Sequence, residues 1–204
     1  MTLSGQNKIE LHAGVCKNYF HDYIPNDGHY QTEYTPTGIG YSFGIGIENI
    51  KVDELRMRFT LSYNKYSGDI DASDGMIGSG YVTDANINKS VISIGVYPLN
   101  FKILKTIDLN FGFEISGLVY ENNIGDIYAW SMEQPYIYTY DRFSSLAHFG
   151  FQSRIAYDIN IAENLLISPQ YAFYYGISSE FKEFPKATKS MRHYFCIGLQ
   201  RTLK

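Results

Sequence analysis

The sequence predicts an all-β chain closed into an eight-stranded antiparallel up-and-down barrel whose apolar face points outward. Three observations carry that expectation. Apolar and polar residues alternate strictly over long stretches, the period of a strand and not of a helix. One face of each stretch is large, aliphatic and aromatic and carries no Asp, Glu, Lys or Arg, while the other is glycine, serine and full charges. The connections alternate long and short, which puts the short turns and both termini at one end.

The first strand, residues 8–16, sends Ile9, Leu11, Ala13 and Val15 outward and Glu10, His12 and Gly14 inward. A long link through Asn26-Asp27-Gly28 leads to the clearest pair. In the second strand Ile39, Tyr41, Phe43, Ile45 and Ile47 alternate with glycine and serine. In the third, Leu55, Met57, Phe59, Leu61 and Tyr63 alternate with Glu54, Arg56, Arg58, Thr60 and Ser62. A second long link, 65–88, precedes the fourth strand, where Ile92, Ile94 and Val96 face out and Pro98 is expected to end the run. The fifth sets Ile107, Leu109, Phe111, Phe113, Ile115 and Val119 against Asp108, Asn110, Gly112, Glu114 and Ser116. A third long link, 121–145, separates it from the sixth, where Phe149, Phe151 and Ile155 oppose His148, Gln152 and Arg154. The seventh carries Leu165, Ile167, Tyr171, Phe173 and Tyr175; Pro169 within it removes a ladder hydrogen bond and calls for a bulge. After a link at 178–190, the eighth has His193, Phe195, Ile197 and Leu199 outward and Arg192, Tyr194, Cys196 and Gln200 inward.

A soluble barrel hides its apolar face and shows its charges, so this pattern is inside out for water. Strands of about ten residues suit a tilted crossing of a bilayer, with lipid outside and a polar lumen within. The 204 residues suit one domain spanning 1–204, and the 19 tyrosines and 13 phenylalanines suit aromatic girdles at a membrane surface. A formal charge of −4 gives no electrostatic case for nucleic acid. No run of eighteen apolar residues exists for a membrane helix. The opening MTLSGQNKIE lacks a basic and then apolar leader, so an exported form is expected to have lost it already.

With this pattern the chain resembles the small eight-stranded outer-membrane β-barrel proteins, and among them the barrel-domain proteins of Bacteroidota-type bacteria, including those grouped with PorT. The likeness is one of pattern over residues 8–203. Many such barrels end in an aromatic residue, whereas this chain ends Arg201-Thr202-Leu203-Lys204. The resemblance implies an outer-membrane location, outer-membrane lipid and lipopolysaccharide as surroundings, and a monomer.

The inward charges include six acids and five bases, a near balance that favours a salt-bridged plug over an ion-selective pore. Glu10, His12, Arg56, Arg58, Glu114, Arg154 and Arg192 are expected to form it; a narrow conducting path is the other reading of the same charges. Loop aromatics Tyr128, Trp130, Tyr136, Tyr138 and Tyr140 suit either recognition of an extracellular protein or glycan, or seating in the lipopolysaccharide interface. Catalysis is not expected. Lipid deacylases of similar architecture use a lipid-facing His and Ser, but outward His193 and Ser153 lie on strands that are not neighbours. His21 and His29 with Asp22 or Asp27 show no supporting spacing. Asp69, Asp71, Asp74 and Gly75 lack the spacing and closing glutamate of a calcium loop, so no metal or cofactor is expected. Cys16 and Cys196 meet on the closing strands as either a bridge or two buried thiols. The expected role is non-enzymatic, in envelope integrity or in surface recognition and adhesion; a lipid-modifying enzyme and a lipocalin-like soluble barrel are the alternatives.

Overall fold

The computed structural model describes residues 7–22, 30–35, 38–52, 55–74, 79–103, 106–131, 135–138, 144–181 and 188–203. Eleven strands follow one another among them: β1 (Lys8–Asp22), β2 (Tyr30–Thr35), β3 (Gly40–Val52), β4 (Leu55–Asp74), β5 (Ser79–Ile103), β6 (Ile107–Ser131), β7 (Pro135–Tyr138), β8 (Ala147–Tyr157), β9 (Ile159–Ala162), β10 (Leu165–Gly176) and β11 (Thr188–Thr202). The wall runs β11-β1-β3-β4-β5-β6-β8-β10, and β10 pairs back onto β11, so the sheet closes with eight strands. Strand β9 continues β8 past Asp158. Strands β2 and β7 stand beyond the wall, on the far halves of β4 and β6.

Closure fixes the tilt. Following paired residues once round gives Ile9, Ile47, Phe59, Val96, Phe113, Phe151, Tyr175, Met191 and finally Tyr19. The circuit returns to β1 ten residues above its start, from 9 to 19. A stagger of that size in eight strands corresponds to a tilt in the range of about 35–45°, and to an interior that side chains can fill.

The wall strands outrun their expected ends. What reads as two long links, 65–88 and 121–145, is largely strand: β4 reaches Asp74, β5 starts at Ser79, and β6 continues to Ser131. Alternation fades there because a strand standing clear of the apolar belt has no need of an apolar face. A register shift opposite Ser90/Val91 also breaks the period, so that Val119 and Tyr120 are both exposed before Glu121 turns inward. Pro98 does not end its strand. It falls within the shift between Val96 and Leu99, where no ladder bond is required of it, and β5 runs on to Ile103. Pro169 keeps its register with Ile197, and the irregularity falls on its other neighbour instead: β8 pairs with β10 from Gln170 upward and β9 from Ile167 downward. In the short link of the first hairpin Asn49 takes φ 63° at the shift between Ile47 and Ile50, a left-handed conformation that asparagine tolerates.

The two faces separate as the alternation requires. Outside stand Leu11, Phe43, Leu61, Ile94, Ile115, Phe151 and Ile197, all exposed, with Tyr171 and Phe173 partly so on β10. Inside stand Glu10, Arg58, Lys89, Glu114, Arg154 and Arg192, all buried. A small cluster of Cys16, Phe20, Tyr66, Ile87, Val91, Tyr174, Phe181 and Tyr194 fills the rest of the upper interior.

Candidate functional site

The interior is built in tiers. At the short-turn end Lys8 and Lys102 each lie 3.2 Å from Asp158, Lys102 lies 3.5 Å from Asp108, and Ser168 donates to Asp158 at 2.7 Å. Above them Glu10 is wholly buried and accepts from Arg58 at 2.6 Å, Arg154 at 2.9 Å, Gln200 at 2.8 Å and Gln170 at 3.3 Å. Arg58 also pairs with Glu48, and Arg154 donates to Asn110 at 2.6 Å. Side chains of β1, β3, β4, β6, β8, β10 and β11 thus meet at one carboxylate and its two guanidinium groups, while Tyr97 of β5 binds Gln152 beside them. Glycines make the room: a Cβ on Gly198 would lie 2.9 Å from the Glu10 carboxyl carbon, and one on Gly46 would lie 3.0 Å from an Arg58 nitrogen.

Next comes Arg192, buried with its guanidinium 3.7 Å from the centre of the Tyr174 ring and 3.2 Å from Glu114. A polar rung crosses the same level: Ser42 donates to Asn64 at 2.6 Å, Asn64 to Ser93 at 2.9 Å, and Ser93 meets Ser116 at 2.8 Å. Between these tiers a cavity of about 40 Å³ is lined by His12, Asn64, Tyr97, Arg154 and Tyr194 among others, space for a few water molecules and no larger solute.

The mouth at the long-link end is covered by the segment after β10. Glu180 folds back over the lumen, its backbone held between Ser145 and Thr188 at 2.9 and 2.7 Å. Its carboxylate accepts from Lys89 at 2.6 Å and from Tyr66 at 2.8 Å, with His148 Nδ1 at 3.5 Å. Phe181 packs on Phe20, and the Lys89 ammonium lies 5.0 Å from the Phe181 ring. Burial alone would raise the Glu180 carboxyl, but the cations around it, Lys89 foremost, bring it down to about 2.

Of the residues singled out in the sequence, the structure brings Glu10, Arg58 and Arg154 into one cluster, with His12 Nδ1 3.4 Å from Glu10, and pairs Glu114 with Arg192. Arg56 is a correction. It shares the face of Arg58, but near the very start of β4 it is exposed at the rim and outside the buried cluster. Lys89, Lys102 and Glu180 were missed. Lys89 shares the inward parity of Val91 and was readable from the alternation, whereas Glu180 sits in a link with no periodic signal.

Tyr128 and Trp130 lie on β6, and Tyr136 and Tyr138 on β7, in a hairpin that pairs Tyr128 with Ile137 and Trp130 with Pro135. Tyr140, Asp27, His29 and Gly75 lie outside the described residues. Asp69, Asp71 and Asp74 fall in the extended β4, and no group of three His, Cys, Asp or Glu suited to a metal occurs among the described residues. Outward Ser153 and His193 are each register partners of Phe173, which stands between them. Cys16 and Cys196 are buried free thiols; their register partners are Tyr194 and Gly14, so they face each other only on the diagonal.

No protein-family model matches the chain, and no curated protein matches it. Among solved structures it is similar to Neisserial surface protein A (13% identity, TM-score 0.43, covering 96% of this chain and 97% of that one). It is also similar to Ail, the attachment invasion locus protein of Yersinia pestis (11%, 0.40, 96% and 99%), and to the outer membrane protein OprG from Pseudomonas aeruginosa (9%, 0.44, 97% and 97%). At these identities and TM-scores the likeness carries no argument about function.

Proposed function

We propose that this protein is a monomeric integral barrel of a bacterial outer membrane, with a salt-bridged plug in place of a pore. Its role is non-enzymatic, in envelope integrity or in surface recognition and adhesion through the long-link end. The inversion of faces carries this reading. Phe43, Ile94, Ile115, Phe151 and Ile197 belong to an apolar belt around the wall, while Glu10, Arg58, Arg154 and Arg192 are buried inside it. Soluble monomers seldom expose apolar patches beyond a few hundred Å². A bilayer removes that cost, and closure satisfies the backbone bonds that lipid cannot. The tiers, the Glu180 cover and the 40 Å³ cavity favour a plug over a narrow channel. The β6–β7 hairpin, bearing Tyr128, Trp130, Tyr136 and Tyr138, is the arm best placed to meet an extracellular protein or glycan.

Expression behind an export signal tests this. The expected result is recovery with the outer membrane and a compact, faster-migrating band in unheated SDS gels. Recovery as a detergent-free soluble monomer without a heat shift sinks the membrane reading, and steady conductance in planar bilayers sinks the plug.

A further inference from the structure

We infer that the outer wall along the β10–β11–β1 seam is a binding site for one lipid bearing a phosphate monoester, a lipid of the outer leaflet. The inference rests on the membrane reading above. Along this seam the apolar belt gives way to outward Lys17, His193 and Tyr171, with Tyr19, His21 and Lys189 farther up the same face. Lys17 on β1 is the register partner of His193 on β11, which in turn pairs with Phe173 on β10. The Tyr171 hydroxyl lies 2.7 Å from His193 Nδ1, a hydrogen bond that occupies that ring nitrogen and leaves Nε2 for a ligand. Tyr19 stands edge-on to His193 at 5.4 Å, and the Lys17 ammonium lies 5.5 Å from the Tyr19 ring. Lys17 is exposed, and no carboxylate pairs with it among the described residues.

Directly below lies a shallow, open apolar depression of about 500 Å³, lined by Tyr171, Pro169, Phe195, Ile155, Ile197 and Tyr157. The short ring of Pro169 and the interruption of the neighbouring strand after Tyr157 leave it open. Tyr171 belongs to both parts, so a cationic hydrogen-bonding head site and a surface for a hydrocarbon chain are continuous. That combination fits an anionic amphiphile, with the charge at the upper edge of the belt. Phosphate is the group expected at that depth, and a lysine and an imidazole N–H are suited to its oxygens. Lys65, two wall strands away at the same edge, stands 6.0 Å from the Tyr41 ring and shares no His–Tyr pair.

The test is native mass spectrometry of the folded, detergent-solubilised full chain with added diphosphoryl lipid A, phosphatidylglycerol or inorganic phosphate. The expected result is one lipid A per barrel, held about ten-fold better than phosphatidylglycerol and not displaced by inorganic phosphate. Lys17→Met and His193→Phe should each lower that occupancy about ten-fold, Lys17→Arg should keep it, and Lys65→Met should change it less than about two-fold. Equal losses from Lys17→Met and Lys65→Met would mean diffuse rim electrostatics and overturn the site. So would equal retention of phosphatidylglycerol, displacement by inorganic phosphate, or no retained lipid. Each variant must first show the heat-dependent gel shift; if the wild-type chain lacks it, the membrane reading fails before the lipid is tested.

Discussion

Glu10 shows what a single residue does here. A carboxylate in a buried cluster is tolerable because two guanidinium groups and two amides aim at it. Changing Glu10 to Gln leaves Arg58 and Arg154 with less counter-charge than they were folded around. The expected cost is about 3–5 kcal/mol, read as a lower urea midpoint for the heat-dependent gel shift. Gly198→Val acts on the same cluster from the other side. Its side chain enters the space of the Glu10 carboxyl, so folding yield should fall, and Gly198→Ala should fall less. The alternation made Glu10, Arg58 and Arg154 legible as inward residues. It could not say which partners they choose, because partners come from strands far apart in sequence. The thiols carry a simpler expectation: Cys16 and Cys196 should resist a polar maleimide in the folded barrel and react after unfolding.

Among elements, the segment over the mouth is the least readable in sequence and the most specific in its contacts. Residues 177–181 have no period, yet Glu180 meets Lys89, Tyr66 and His148 with Phe181 packed beside it. The Glu180 carboxyl is held below its usual value of 4.5, at about 2. Its contribution is therefore complete above pH 4.5, shrinks as pH falls toward 2, and is gone below. Hydrogen exchange at 177–181 should show protection that is level from pH 7 to 5 and falls progressively below. The difference between wild type and Glu180→Gln isolates this carboxyl from His148 and the other groups facing it, and identical profiles would remove Glu180 from the role. The strands themselves were legible where one side meets the apolar belt. Beyond it, hydrogen bonding continues β4, β5 and β6 without the pattern, which is why their outer halves read as loops.

For the whole molecule, closure is the decisive event. The ten-residue stagger narrows the interior until long side chains span it, and in the plug we propose the tiers block it in series. Removing one tier should not open a path. Liposome swelling with small sugars should stay at background for Lys89→Met, since the Arg192–Glu114 and Glu10 tiers still close the lumen. Swelling with Lys89→Met alone would show that the lower tiers do not block.

The sequence by itself determined the fold class, the eight wall strands and the face residues take within the apolar belt, because a period of two and an alternation of link lengths are local properties of the chain. It also placed Arg56 with Arg58 on parity, and there it failed, because parity gives a face but not a height, and the rim is exposed. Only the tertiary structure decided the stagger, the pairing of Glu10 with Arg58 and Arg154, the Glu180 cover and the seam that brings Lys17 beside His193. Each of those joins residues distant in sequence, and distance is settled only when the last strand pairs with the first.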